Sequence, residues 1–323
     1  MTVAPKIVFL DAATFGDMSL AQFTDRWPCT VHQVTQATET AARITGHNIA
    51  VTNKVAFDKT ILNSPAAEEL KLIAVAATGT DVIDKDAATK RGVKVCNVPG
   101  YAAQAVGQFT IALLLELASR IGSNSADVKA GAWQSSPVYT LLTYPQVELH
   151  GKKLGIIGYG NIGKTVAKIA GALGMEILVG ARPGGSAPPS DRVPLDRLFR
   201  EADVITLHCP LTPQTKNLIN GQTLASMKST AFLINTARGA LVDEAALIET
   251  LRHKRIAGAA VDVITQEPPP ADHPMIVAAR ELSNLMVTPH TAWSAREARE
   301  RLLSEVKENI AAFLAGQHRN RVA

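Results

Sequence analysis

Lys152-Lys-Leu-Gly-Ile-Ile-Gly158-Tyr-Gly160-Asn-Ile-Gly163-Lys164 is the stretch on which the reading of this chain turns. Leu154 to Ile157 is an apolar run of strand type, the glycines follow at GxGxxG spacing, and Thr165 to Leu173 continues in helical rhythm. Each glycine has its own physical use. Gly158 permits a tight turn, Gly160 lets the backbone approach a pyrophosphate, and Gly163 allows close packing of helix on strand, while the helix N-terminus offers donors to the anion. Three glycines in a turn arise for many reasons, so the spacing alone is weak; the strand before it and the helix after it supply the confirming context. Gly158, Tyr159, Gly160, Asn161, Ile162 and Gly163 are therefore read as a dinucleotide-binding turn.

Downstream of this turn the alternation continues. Ile177 to Val179, Val204 to Leu207, Phe232 to Ile234, Ala259 to Val263 and Leu285 to Val287 are strand candidates, which with Leu154 to Ile157 makes six. That rhythm matches a doubly wound dinucleotide-binding sheet. Upstream, Lys6 to Leu10, Val31 to Val34, Ile49 to Thr52, Leu72 to Ala76 and Val93 to Cys96 also read as strands. Asp81 to Gly92 reads as a helix, with acids at its start, bases at its end and a closing glycine. The fold class is thus α/β with two parallel-sheet domains. Between them Ala105 to Ala118 is too continuously apolar for a surface helix and is read as a buried helix joining the two. Residues 122 to 151 hold one obvious helical piece and are either a wrapping segment or an oligomer contact. Ser294 to Ala315 is a long amphipathic helix with no strand after it, so it is expected to return to the first domain.

The ends of the second set of strands carry the chemistry. A ribose-binding acid is expected about 20 residues beyond the glycines, yet Leu178-Val-Gly-Ala-Arg182-Pro-Gly-Gly185 holds no carboxylate. An acid would repel a 2′-phosphate, whereas Arg182 would pair with it bidentately, which favours NADP(H) with NAD(H) as the second option. The competing reading of Arg182 is a solvated loop cation. Asn235-Thr-Ala-Arg238-Gly239 ends an apolar strand on a guanidinium suited to a carboxylate ligand, although most arginines are surface side chains. Asp262 ends another strand and could simply cap the following turn. Glu267-Pro268 and Thr288-Pro-His290 complete the set. Reducing a keto acid needs a proton donor that titrates near neutrality, a carboxylate to support it and a cation for the substrate carboxylate. His290, Glu267 and Arg238 are of those types. A lone histidine is more often structural, and spacing alone does not bring the three together.

Composition narrows the rest. At 323 residues and 46% hydrophobic the chain suits two cores. Lys+Arg (33) and Asp+Glu (29) are interspersed, with no basic block to track nucleic acid. Cys29, Cys96 and Cys209 lack metal or redox spacing and read as reduced thiols of a cytoplasmic protein; no metal site is expected. No stretch has the roughly 18 apolar residues of a membrane span.

Gly158 to Gly163, His208-Cys-Pro-Leu-Thr-Pro-Gln-Thr215, Asn235 to Gly239, Glu267-Pro268 and Thr288-Pro-His290, in that order, resemble the D-2-hydroxyacid dehydrogenase family over residues 6 to 315. The resemblance is closest to glyoxylate and hydroxypyruvate reductases (glycerate dehydrogenases). It implies a flavodoxin-like substrate-binding domain of residues 1–100 and 292–323, with a Rossmann-type cofactor domain of residues 101–291 inserted in it. Hinges would fall near Pro99-Gly100 and Thr291-Ala292, with the active site in the cleft and homodimer contacts through the cofactor domain. It implies Arg238, Glu267 and His290 as catalytic residues, and hydride transfer from the nicotinamide while His290 donates the proton. Val106, Ala181, Arg182, Pro183, His208, Cys209, Pro210, Thr215, Thr236, Ala237 and Asp262 would contact the cofactor. Thr78 and Gly79 would join Arg238 in binding the substrate carboxylate by backbone N–H groups, and Lys54 would reach a short polar tail. Glu267 stands where formate dehydrogenases carry Gln, and Thr52 where phosphoglycerate dehydrogenases usually offer Arg. Both departures favour a small 2-keto acid, hydroxypyruvate or glyoxylate. Gln108 stands where the family usually has Glu. The competing expectations are an NAD-dependent dehydrogenase for a bulkier keto acid, and a non-enzymatic cofactor sensor like the C-terminal-binding-protein corepressors. The latter carry long extensions, and this chain starts at its first strand.

Overall fold

Short aliphatic runs flanked by turns pair as strands because burial on both faces rewards β-branched side chains. Five of them, β1 (Ile7–Phe9), β2 (Cys29–Val31), β3 (Ile49–Thr52), β4 (Leu72–Val75) and β5 (Lys94–Cys96), form a parallel sheet in the order β2-β1-β3-β4-β5. β1, β3 and β4 are wholly buried, whereas β2 is the partly exposed edge. The computed structural model describes residues 4–185 and 190–323. It divides the chain into two units, Met1–Ala102 with Ser294–Ala323, and Ala103–Trp293.

In the first unit two elements differ from the sequence expectation. The second strand is Cys29–Val31 rather than Val31 to Val34, because its register is set by pairing with the three residues of β1, Ile7 opposite Cys29, and Val34 lies beyond, 58% exposed. The helix expected over Asp81 to Gly92 is confined to Lys85–Lys90. Asp84 caps it by accepting from Ala87 N at 2.9 Å. The residues before the cap are held instead in a bridge of Ile83 with Phe57. The last segment returns to this unit as expected. Its helix Arg296–Leu314 buries Leu302, Leu303, Val306 and Ile310, Asn309 Nδ2 donates to Asn97 O at 2.8 Å, and Val95 N donates to Ala323 O at 3.0 Å.

The second unit opens on helix Ala103–Ser119, whose inner residues are buried, followed by helix Ile121–Lys129. No single helix among the described residues is long and apolar enough to cross a membrane. Six further strands, β6 (Lys153–Ile157), β7 (Glu176–Val179), β8 (Val204–Leu207), β9 (Phe232–Asn235), β10 (Gly258–Val261) and β11 (Leu285–Val287), make a parallel sheet in the order β11-β10-β9-β8-β6-β7. A single parallel bridge between Gly180 and Val193 extends the sheet beyond β7. Counted with it, the order runs third, second, first, then fourth onward, the dinucleotide-binding arrangement with its reversal between β6 and β8. A short contact thus stands where the sheet's third strand would be, which is why the sequence shows no strand signal there.

Candidate active site

Gly158, φ 99°, follows the last residue of β6. A Cβ on it would lie 2.4 Å from Cys209 N and from His208 C. The turn leaving β8 is packed directly on the glycine loop, and His208 N donates to Ile157 O at 2.7 Å. A Cβ at Gly163 would stand 2.2 Å from Gly158 O, so helix Asn161–Ala172 sits too close to the loop for any side chain there. Around Gly160 the space is open, with nothing within 4 Å of an added Cβ. Gly160 is also the helix N-cap, with no side chain to satisfy the first-turn N–H groups. Open space before unspent donors at the positive end of a helix dipole fits a pyrophosphate.

The other residues expected around a cofactor fall in the same unit. Val106 is buried on helix Ala103–Ser119, whose Gly107 closes against Thr165. Thr215 Oγ1 donates to Pro210 O at 2.8 Å and accepts from Thr212 N at 2.7 Å, closing the 208–215 turn. Thr236 Oγ1 meets Thr110 Oγ1 at 3.0 Å, tying the end of β9 to the long helix. Ala181 N donates to Val193 O at 2.8 Å, Arg182 is exposed and Pro183 is half-buried. His208 Nε2 lies 2.9 Å from Thr206 Oγ1, while its buried Nδ1 has no partner among the described residues. Burial pushes this ring's pKa down to about 3, so it stays neutral, and pushes the Cys209 thiol up to about 11.

Arg238, Glu267 and His290 follow β9, β10 and β11, three neighbouring parallel strands, so their carboxyl ends open on one side of the sheet. Buried Asn235 shapes the first turn: its Oδ1 accepts from Ala237 N at 3.0 Å and its Nδ2 donates to Arg238 O at 2.8 Å. Gly239 then lets the second turn in, since a Cβ there would lie 2.1 Å from Ile264 C. On that second turn Glu267 Oε1 accepts from Ile264 N at 2.9 Å, and Oε2 lies 2.6 Å from His290 Nδ1. Glu244 grips the same turn, accepting from Thr265 N at 2.7 Å and Thr265 Oγ1 at 2.9 Å. His290 has φ 54°, a left-handed conformation that costs a non-glycine residue free energy and is found at sites the surroundings over-determine. Its surroundings include Asp262, 1% exposed, whose carboxylate accepts from Thr288 Oγ1 at 2.6 Å, Thr291 N at 3.0 Å and Ala292 N at 2.9 Å. The carboxylate thus does cap the turn that carries His290.

Glu267 and His290 are therefore brought into contact, and Arg238 onto the adjoining turn. Asn235, Gly239 and Glu244 escaped sequence reading because what they do depends on partners in space. Only the Asn-Thr-Ala-Arg-Gly spacing held a signal, an Asx turn two residues long. Thr78, Gly79 and Lys54 belong to the first unit. Thr78 Oγ1 donates to Val98 O at 2.7 Å, and the backbone N–H groups of Thr78 and Gly79 have no acceptor among the described residues. Lys54 N donates to buried Asp11 at 2.6 Å, and Thr52 is buried against the same carboxylate.

Residues 111–292 match the family model described as D-isomer specific 2-hydroxyacid dehydrogenase, NAD binding domain. The chain belongs to the D-2-hydroxyacid dehydrogenase family. It is an oxidoreductase with an NAD-binding domain. Among curated members, the glycerate dehydrogenase of Methylorubrum extorquens is 42% identical over 316 residues, covering 98% of each chain. The hydroxypyruvate reductase of Blautia hydrogenotrophica is 36% identical over 319 residues, covering 96% of this chain and 97% of its own. Among solved structures, an acyclic imino acid reductase in complex with NADPH and D-Arg superposes with a TM-score of 0.86 at 29% identity, covering 98% of this chain and 100% of its own.

Proposed function

We propose that this family member reduces a small 2-keto acid, hydroxypyruvate or glyoxylate, to the D-2-hydroxy acid with NADPH as the preferred cofactor. The observation that carries the reading is the 2.6 Å pair between His290 Nδ1 and Glu267 Oε2 on a strand end beside Arg238. With Nδ1–H donating to the carboxylate, the proton to be transferred is on Nε2, which has no partner among the described residues. His290 gives that proton to the keto oxygen, and Glu267 stabilises the imidazolium beforehand and fixes its ring. Arg238 holds the substrate carboxylate through its planar fork, which fixes the 2-keto carbon for attack. The nicotinamide of the bound cofactor supplies the hydride. Gly158 to Gly163 bind its pyrophosphate, and Arg182, with no acid at the end of β7, favours the 2′-phosphate of NADP(H). The names of the two curated relatives support the substrate class.

The test is a panel of 2-keto acids with NADPH and NADH. Hydroxypyruvate or glyoxylate with NADPH is expected to give the highest kcat/KM. Equal or better use of NADH removes the argument from Arg182, and activity confined to bulky keto acids redirects the substrate. His290→Ala is expected to abolish turnover while cofactor binding survives; retained turnover removes the assigned proton donor, and an inert wild-type enzyme points to a cofactor sensor.

A further inference from the structure

The bridge beyond β7 brings a second cation to the cofactor loop. Val193 is tied to the end of β7, with Val193 N donating to Val179 O at 2.9 Å and its own carbonyl accepting from Ala181 N at 2.8 Å. Arg192, the residue before it, is thereby fixed beside the strand end at which this fold class places the adenosine ribose. Its guanidinium lies over the ring of Tyr159, 5.1 Å from the centroid, and Tyr159 stands between the first two glycines of the pyrophosphate loop. The side chain is 26% exposed.

An arginine laid over an aromatic ring gives up only one face. Its N–H donors lie in the guanidinium plane and stay available, and stacking removes part of the rotamer freedom that a long side chain would otherwise lose on binding. Among the described residues the carboxylate paired with it is Asp191, 3.5 Å from Nε and itself 73% exposed. Such solvated pairs contribute little, and Nη1 and Nη2 have no hydrogen-bond partner among the described residues.

We propose that Arg192, held by Tyr159, is a cofactor-selecting residue that grips the ribose phosphate of NADP(H) together with Arg182. Tyr159 is its positioning residue. The inference rests on the NADP(H) reading above and assigns that reading a residue the strand-end sequence alone does not reveal. A terminal phosphate pairs bidentately with a planar fork, whereas NADH has only a neutral hydroxyl at that position and no anion for the fork to hold.

Steady-state kinetics with NADPH and NADH on the whole enzyme test this, comparing wild type with Arg192→Ala, Arg192→Gln, Arg182→Ala, Tyr159→Phe and Tyr159→Ala. Both Arg192 variants are expected to lower the NADPH-to-NADH ratio of kcat/KM about tenfold or more, the usual worth of a hydrogen bond to a charged group. The loss should fall on KM for NADPH with kcat kept at saturation. Tyr159→Phe, which keeps the ring, should hold the wild-type ratio, and Tyr159→Ala should lower it. A wild type that favours NADH defeats the cofactor reading before any variant is made. A wild type that favours NADPH, with the ratio collapsing in Arg182→Ala but unmoved in folded Arg192→Ala and Arg192→Gln, overturns the role of Arg192 and leaves that reading standing.

Discussion

Glu267 is half of a contact with His290, and its other oxygen is already spent on Ile264 N. Replacing it by Gln keeps the shape and removes the negative charge beside the His290 ring on which the proposed proton transfer relies. Glu267→Gln is expected to lower kcat for reduction by about 10²-fold or more, the usual scale of a general acid, with the dissociation constant for NADPH unchanged; a kcat near wild type would show that the ring needs no carboxylate. His208 makes a separate statement about stability. Burial holds its folded pKa near 3 against an ordinary value of 6.5. Above pH 6.5 the ring is neutral in both states and contributes no pH dependence. Below it the unfolded chain binds one more proton, so stability falls by about 1.4 kcal/mol per pH unit from this site as pH drops toward 3. Denaturant titrations of wild type and His208→Gln across that window should differ by one proton in slope, and equal slopes would refute a ring held neutral in the folded state. At this scale the sequence was informative about residue type and silent about contact. Arg238, Glu267 and His290 could be named from their motifs, but a 2.6 Å approach across 23 positions is a property of the sheet.

The two sheets are where the local signals were strongest and where they first failed. The glycine turn was legible because its strand, loop and helix are contiguous, so every requirement falls within one short window. The register of β2 was not, since an edge strand is placed by its partner rather than by its own side chains. The bridge at Val193 left no periodicity to find. Gly239 and Glu244 act across turns, one by having no side chain and the other by holding Thr265. Gly239→Ala would drive a methyl group into the backbone at Ile264 and Thr265 and spread the turn of Arg238 from that of Glu267. We expect a stability loss of about 1–3 kcal/mol, with kcat/KM falling further than a fully folded fraction accounts for. Thermal melting set beside kinetics reads both, and undiminished kcat/KM would mean that the two turns need not touch.

At the scale of the whole chain, the return of residues 294–323 to the first unit was expected from an amphipathic helix with no sheet of its own, and the family resemblance supplied the reason. For residues 122 to 151 the sequence does not decide between a wrapping segment and an oligomer contact, because exposure depends on what covers a surface. In this chain Trp133 is 50%, Tyr139 91% and Leu142 85% exposed, an apolar surface of the kind that marks association sites. We propose a homodimer through the second unit with this segment in the contact. Sedimentation of the wild type as a dimer, and of Leu142→Asp as a monomer or a weaker dimer, is the expected pair of results; a monomeric wild type would exclude it. The split first unit has one further consequence, for synthesis. Its strands β1 to β5 all precede Ala103 in the order of synthesis, but the helix that buries Leu302 and Ile310 and the tail that pairs with Val95 come only after the whole inserted unit. The inserted unit, continuous in sequence, can close on itself as it emerges, while the earlier-made sheet must wait with one face uncovered until the inserted unit has been made. The unit whose strands are made before the insert is therefore completed only after it, and the interval between is when a chaperone has most to protect.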